Sequence, residues 1–483
     1  MNKILFVGAE VMPFAATGGL GDVMGSLPAA IARADANADV RVVMPLYRAV
    51  GEEWRTQMKD EVTFELSLAW RELYCGIKSL KRDGIVYYFV DNEYYFDRDG
   101  LYGYYDDGER YAYFCIAVLE MMGHIGFYPD ILHAHDWQGA LSVVYLNHHF
   151  RGKAEYAGMK TVYTIHNIEY QGKYDFGILW DVFGLGEDWR GVLEYDGCIN
   201  LMKAGIVCAD RVSTVSPRYA EEICTAEYAH RLQYILVENQ SKLRGILNGI
   251  DYSYYDPEKD ADIPYCFSPN NLAEKLKNKI EFQKEIGLTV SNETPLLAIV
   301  SRLASHKGLD LVVEMAEKLL SEREVQLVVL GKGDEGYERF FREMERWFPD
   351  KMRALICYDR KLSKRVYAAA DIFVMPSKSE PCGLSQMIAS RYGAVPVVRE
   401  TGGLYDSIKG YFEENGKLYG NGFTFAGYSS EELYDRLLAA EGLYRQNEKW
   451  ERLVKRIMET DFSWSVSAQK YLEMYQEIRK DLS

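Results

Sequence analysis

The residue types able to do chemistry fall in a few places along this 483-residue chain. Arg302 and Lys307 supply fixed positive charge of the kind that holds phosphate oxygens. Glu380 precedes Pro381-Cys382-Gly383-Leu384-Ser385 and offers a carboxylate to sugar hydroxyls, while the amides of Gly383, Leu384 and Ser385 can receive a phosphate. His135-Asp136, His166-Asn167 and Asn248 add polar groups with hydrogen-bonding reach. The pattern T-G-G-L-x-D occurs twice, from Thr17 to Asp22 and from Thr401 to Asp406. Paired glycines at a strand-to-helix turn let backbone N–H groups approach a ligand, and a helix start there favours negative charge. Each feature also has a plainer reading. His135 and Asp136 serve equally as helix caps, His166 as a satisfied core histidine, Arg302 and Lys307 as surface charges, and either glycine turn as a helix start without a ligand. Their joint placement shifts the balance, because all fall where strands should end, which is where open parallel sheets bind ligands. His133-x-His135 and His148-His149 have the spacing of metal-ligand pairs. Alternation along a strand is expected to send the first pair to opposite faces, so no metal site is expected.

The elements that must position these residues alternate in the first half. Ile4–Gly8, Asp39–Pro45, Val62–Leu68, Ile85–Asp91, Asp130–His135, Lys160–His166 and Arg211–Val215 read as strands, and Gly21–Arg33 and Glu109–Met122 as helices. The second half repeats the style with strands at Pro295–Ser301, Val325–Leu330, Ala354–Tyr358, Ile372–Pro376 and Val395–Arg399. Helices are expected over Lys307–Leu320 and around Ala389–Tyr392. This is an α/β pattern, a mostly parallel sheet in each half covered by helices. A boundary is placed near Leu247-Asn248-Gly249-Ile250-Asp251, and the tail from about Trp450 reads as helical.

Composition excludes several classes. A formal net charge of −16 and a pI near 5.2 argue against nucleic acid or an anionic membrane as the main partner. The eight cysteines show no C-x-x-C spacing, so free thiols are expected rather than zinc or disulfides. No apolar run is long enough to span a membrane, and the N-terminus lacks the apolar run of a signal peptide, which together read as cytoplasmic. Tyrosine is abundant, with 37 residues, nine of them between Tyr87 and Tyr113. Packing explains most of those nine. Tyr94, Tyr95 and Tyr102 are the candidates for a flat surface against sugar rings.

The runs PFAATGGLGDVMGSLP, HAHDWQGAL, TIHNIEYQG, LNGID, SRLASHKGLDL, PSKSEPCGLSQM and VVRETGGLYDS together resemble bacterial glycogen synthases and plant starch synthases, in the family's order and over almost the whole chain. The resemblance implies a GT-B architecture, with two Rossmann-like domains facing each other across a cleft. They would be residues 1–250 on the glucan acceptor side and 251–460 on the nucleotide-sugar donor side, with a helix at 461–483 crossing back to the first. It implies a retaining glucosyltransferase that moves glucose from ADP-glucose to the non-reducing end of glycogen or another α-1,4-glucan, with no cofactor and no metal. Carried over by position, Arg302 and Lys307 hold the donor diphosphate, and Glu380 contacts the transferred glucose. Gly18, Gly19, Gly402 and Gly403 lie against the donor with Gly383, Leu384 and Ser385. His166 stands beside the anomeric centre, Asp136 near the incoming 4-hydroxyl, and Asn248 on the donor sugar. The leaving phosphate takes the acceptor proton.

Two positions depart from wider patterns. The family motif K-x-G-G-L puts lysine where this chain has Ala16. A charge-assisted phosphate contact is typically worth roughly 1.5–3 kcal/mol, about one to two decades in affinity or rate. Broader GT-B relatives carry a second glutamate where this chain has Ile388; the resemblance implies that glycogen synthases lack it too, so this difference fits the narrower family. Ala16 keeps open UDP-glucose or another sugar nucleotide as donor. A glucan-binding paralogue with weak catalysis is the non-enzyme alternative, and the retained Arg302, Lys307, His166 and Glu380 speak against it.

Overall fold

The computed structural model describes residues Asn2 to Lys480. The chain divides into two compact units, one running to Asn248 and resuming at Trp464, the other spanning Gly249–Ser463.

The first unit is built on a nine-stranded sheet. Its spatial order is Leu243–Gly245, Arg211–Thr214, Lys160–Ile165, Ile131–His135, Lys3–Val7, Asp39–Pro45, Ile85–Asp91, Arg71–Arg82 and Lys59–Leu68. Neighbours pair in parallel except at Arg71–Arg82, which runs antiparallel to the strands on both sides. That strand was not expected from sequence. It carries charge at both ends and a glycine in the middle, which blurs the period-2 pattern, yet Asp83-Gly84 after it is a strong two-residue hairpin signal. Both residues take positive φ, 50° and 83°, as such a turn requires. The central strands Lys3–Val7 and Ile131–His135 are buried almost end to end because helices cover both faces, and even His133 and His135 lie inside. Gly19–Ala34 and Asp107–Ile125 are longer than the sequence pattern suggested. The tyrosine-rich stretch mostly packs: Tyr87, Tyr88, Tyr95, Tyr111 and Tyr113 are buried, and Arg110 in the same stretch is itself buried and donates to the carbonyls of Tyr95 and Leu101.

The last helix, Trp464–Lys480, belongs to this first unit and packs along Gly19–Ala34. The Tyr475 hydroxyl lies 2.7 Å from His133 Nδ1, and the Ser467 hydroxyl donates to the carbonyl of Leu247.

The second unit holds a six-stranded sheet, parallel throughout. Its order is Met352–Leu355, Gln326–Leu330, Leu296–Val300, Ile372–Met375, Val395–Arg399 and Phe423–Phe425. In both sheets the strand order reverses beside the unit's first strand. In the first unit this lies between Lys3–Val7 and Ile131–His135, in the second between Leu296–Val300 and Ile372–Met375. Ligand sites of open α/β sheets sit outside the strand ends at such switch points.

Candidate active site

At the first switch point, the chain leaves Lys3–Val7 and turns back through Glu10 into the first T-G-G-L turn. The buried Glu10 carboxylate gathers that turn: it accepts from Thr17 N at 2.5 Å, Gly18 N at 3.1 Å, Thr17 Oγ1 at 2.9 Å and the Tyr102 hydroxyl at 2.7 Å. Gly18 has an extended backbone at φ −163°, and a Cβ on Gly18 or Gly19 would meet nothing within 4 Å. The adjacent strand ends at His135, and Asp136 starts the next helix from a left-handed φ of 53°. Its Oδ1 accepts the His166 amide at 2.7 Å, tying the ends of two neighbouring strands together. His135 Nδ1 lies 2.9 Å from His166 Nε2. Burial pushes the Asp136 carboxyl up to about 7, against the pull of the His166 and Asn167 amides and with help from the Glu10 charge. Burial pushes His166 down to about 3, so its ring is neutral near pH 7. Asn248 is buried, and its side-chain carbonyl has no partner among the described residues.

At the second switch point, Leu296–Val300 delivers Arg302, which is exposed and in no ion pair among the described residues. The tight turn Ser305–Lys307 follows, closed by Gly308, whose φ is 69° and whose Cβ would stand 2.0 Å from the Pro376 carbonyl oxygen. Lys307 Nζ reaches Glu380 Oε2 at 2.7 Å, and Ser377 Oγ donates to the same oxygen at 3.0 Å. Glu380 is 7% exposed, so this is a nearly buried pair, with its other carboxylate oxygen outside both contacts. The second T-G-G-L turn lies against its backbone, the Gly403 amide donating to the Glu380 carbonyl at 3.1 Å. The arrangement presents cations, a fixed carboxylate and a close-packed glycine turn at one strand-end cluster.

Residues 3–238 match a model of the starch synthase catalytic domain, and residues 280–456 one of the glycosyl transferases group 1. A glycogen synthase of Clostridium beijerinckii is 46% identical over 99% of both chains. One of Bacillus subtilis is 44% identical over 99% of this chain and 98% of its own. The chain belongs to the glycogen synthase family. The catalytic domain of starch synthase IV from Arabidopsis thaliana, solved bound to ADP and acarbose, superposes with a TM-score of 0.90 at 32% identity over 99% of each chain. A sucrose-phosphate synthase from Thermosynechococcus elongatus shares the fold alone, with a TM-score of 0.59 at 16% identity. The fold is GT-B, and membership in the glycogen synthase family makes the chain a glucosyltransferase.

Among the residues singled out from sequence, the structure joins Asp136 to His166, and Lys307 to Glu380 with Gly403 behind them. Gly383, at φ 71°, opens the turn into Ser385–Arg391, with Leu384 between. Gly402 turns at φ 44° over the Glu380 carbonyl, where a Cβ would stand 2.0 Å from the oxygen. The Gly18 amide is already committed to Glu10, so that turn offers less free N–H than its sequence suggests.

Two expectations are corrected. Tyr95 is fully buried with its hydroxyl donating to Glu109, so it presents no face to glucan. Tyr102 gives its hydroxyl to Glu10, whereas Tyr94 is 70% exposed. His133 and His135 do not point to opposite faces: residues two apart on a strand share a face, and their rings stack at 4.3 Å. His133 is engaged through both nitrogens, with Tyr475 and Thr164. Among the described residues no group of three or more His, Cys, Asp or Glu is placed to hold a metal. Sequence reasoning missed Glu10 and Ser377. A carboxylate just after a strand and ahead of a glycine turn was the available signal for Glu10.

Proposed function

We propose that the chain transfers glucose from ADP-glucose to the 4-hydroxyl at the non-reducing end of an α-1,4-glucan such as glycogen, with retention. The observation that carries this is the buried Lys307–Glu380 pair, locked by Ser377 beside the Gly402-Gly403 turn. An isolated buried carboxylate would be costly; paired, it is a rigid acceptor for sugar hydroxyls. Lys307 and the unpaired Arg302 take the diphosphate and stabilise the charge that grows as ADP departs. Gly402, Gly403 and the Gly383-Leu384-Ser385 turn lie along the donor. The bond from glucose C1 to phosphate breaks, the bond from C1 to the acceptor oxygen forms on the same face, and a phosphate oxygen takes the acceptor proton. His166 and Asn248 orient the glucose, and Asp136 stands near the incoming hydroxyl. Tyr94 and the Tyr102 ring are the remaining tyrosine candidates for glucan. No metal or cofactor enters this scheme, and the reaction is placed in the cytoplasm, in keeping with eight free cysteines.

Ala16 favours keeping a second donor in view, UDP-glucose or another sugar nucleotide. The deciding experiment is label transfer onto a glycogen primer from ADP-glucose and, separately, UDP-glucose, with EDTA present. Fast EDTA-resistant transfer from ADP-glucose is expected. Transfer from UDP-glucose alone would change the donor, and glycogen binding without transfer would leave a glucan-binding protein. Glu380→Ala is expected to lower transfer by roughly a hundredfold or more with the fold intact; full activity in that variant, measured beside its circular dichroism, would remove the carboxylate from the scheme.

A further inference from the structure

His135 is the last residue of its strand and is wholly buried, its ring in a cluster with His133 at 4.3 Å and Phe6 at 5.7 Å. One ring nitrogen, Nδ1, is 2.9 Å from His166 Nε2. The other, Nε2, is buried and has no partner among the described residues. His166 is only half-buried, and its own Nδ1 is neither sealed off nor bonded to any described residue.

Both rings are neutral in this apolar setting, so each carries one N–H, and the shared hydrogen bond leaves two arrangements. In the first, His166 Nε2–H donates to His135 Nδ1. The His135 hydrogen must then sit on Nε2, where it is a buried donor without an acceptor. In the second, His135 Nδ1–H donates to His166 Nε2, and the unpaired atom on His135 is only a lone pair. Orphaned buried N–H groups are rarer in folded proteins than under-used acceptors. The second arrangement is therefore favoured, and it fixes the far side of the pair. His166 Nε2 is bare, its hydrogen is on Nδ1, and Nδ1 is the nitrogen left open.

We infer that His135 is a positioning residue that sets the tautomer of His166, so that His166 meets its ligand as an Nδ1–H donor. The ligand atom opposite it is an acceptor, a sugar hydroxyl or ring oxygen, and a group lacking a lone pair there is rejected because the donor is left unpaired. Asp136 supports the same geometry from the other side by holding the His166 amide at 2.7 Å. The assignment of His166 to the sugar rests on the function proposed above; the tautomer itself does not.

The test is nitrogen-15 NMR of the full chain with labelled histidine, without ligand, the His135 and His166 signals being assigned from the His135→Phe and His166→Gln spectra. Both residues are expected as neutral Nδ1–H tautomers, the form free histidine disfavours. His135→Phe keeps the stacked ring and removes the donor. It leaves His166 Nε2 without a donor to hold it bare, so the His166 signals are expected to move off the Nδ1–H values toward a mixture of both forms, and kcat to fall roughly ten- to a hundredfold with KM for glycogen little changed. His135→Asn places an amide N–H where Nδ1 stood and is expected to restore both the tautomer and most of kcat. An Nε2–H signal for His166 in the unaltered protein overturns the inference, as does a His135→Phe variant with unchanged tautomer and kcat. Failure of the wider functional reading would show differently, as no transfer by the unaltered protein whatever its tautomers. Should His135→Phe not fold, the unaltered protein's spectrum still decides, with His166→Gln marking the signal.

Discussion

The two T-G-G-L turns share their letters and almost nothing else. In the second, glycine is demanded by packing: a Cβ on Gly403 would stand 2.0 Å from the Cys382 carbonyl oxygen, and Gly402 turns at a positive φ against the Glu380 carbonyl. In the first, neither constraint holds. Gly18 and Gly19 have ordinary backbone and open space where a side chain would go, and the turn is held by a carboxylate, Glu10, instead of by close contact. A glycine the fold needs and a glycine the fold merely tolerates are indistinguishable as letters. Where the fold does not need the glycine, only a role such as the donor contact proposed above would hold it in place, and the first turn is where that proposal can be tested apart from stability.

The largest effect should come from filling the second turn. Gly403→Ala is expected to cost about 3 kcal/mol or more, because its new carbon meets backbone and not a flexible side chain. Thermal unfolding should show an early transition with activity lost alongside it. Next in size is a pH effect near the first turn. The Asp136 carboxyl is raised from an ordinary 3.8 to about 7, chiefly by burial and to a lesser extent by the Glu10 charge, so the folded chain resists its ionisation. Stability from this group is full below about 3.8 and is lost as pH climbs to about 7. Asp136→Asn should therefore gain stability over the parent across that window, by no more than about 4 kcal/mol, and hold the gain above it while transfer falls. Melting curves at several pH values would show a constant offset if the carboxyl were unperturbed.

Gly19→Ala should separate the turns most cleanly. At the start of a helix with nothing to strike, it is expected to leave stability unchanged or raise it by about 0.5–1 kcal/mol, while raising KM for the sugar nucleotide. Equal kinetics with and without the methyl would break the comparison. The smallest change in stability is expected from Ala16→Lys, within about 0.5 kcal/mol, since the existing Ala16 carbon already fits against Gly21 and the site is half-exposed. ADP-glucose transfer should be kept or raised; a large loss would mean the turn is built around the alanine.

How much of this was legible depended on distance along the chain. The parallel strands announced themselves as apolar runs, and Arg302, Lys307 and Glu380 stood out because they fall in the short turns that come after such runs. Arg71–Arg82 did not, because its mixed charge hides a strand whose partners are set by hairpins. Glu10 stood close enough to its turn to be found, since Thr17 and Gly18 lie seven and eight residues on, but its bond to Tyr102, 92 residues later, could not be seen without the fold. Tyr95 and Tyr94 are adjacent in sequence and opposite in fate, and only the packing of Tyr113 and Glu109 around the former decides which ring is covered. The His135–His166 bond joins ends of neighbouring strands 31 residues apart, a pairing that needs the sheet register to be seen.

The helix Trp464–Lys480 gives the molecule a dependence on its own manufacture. It belongs to the first unit and packs along Gly19–Ala34, the helix that begins at the open glycine turn. A ribosome must translate the whole second unit before that helix exists, so until then the flank of Gly19–Ala34 that it covers is bare and His133 lacks its tyrosine partner. A chain that stopped just before Trp464 would carry every residue discussed for catalysis and still lack part of its first unit's core.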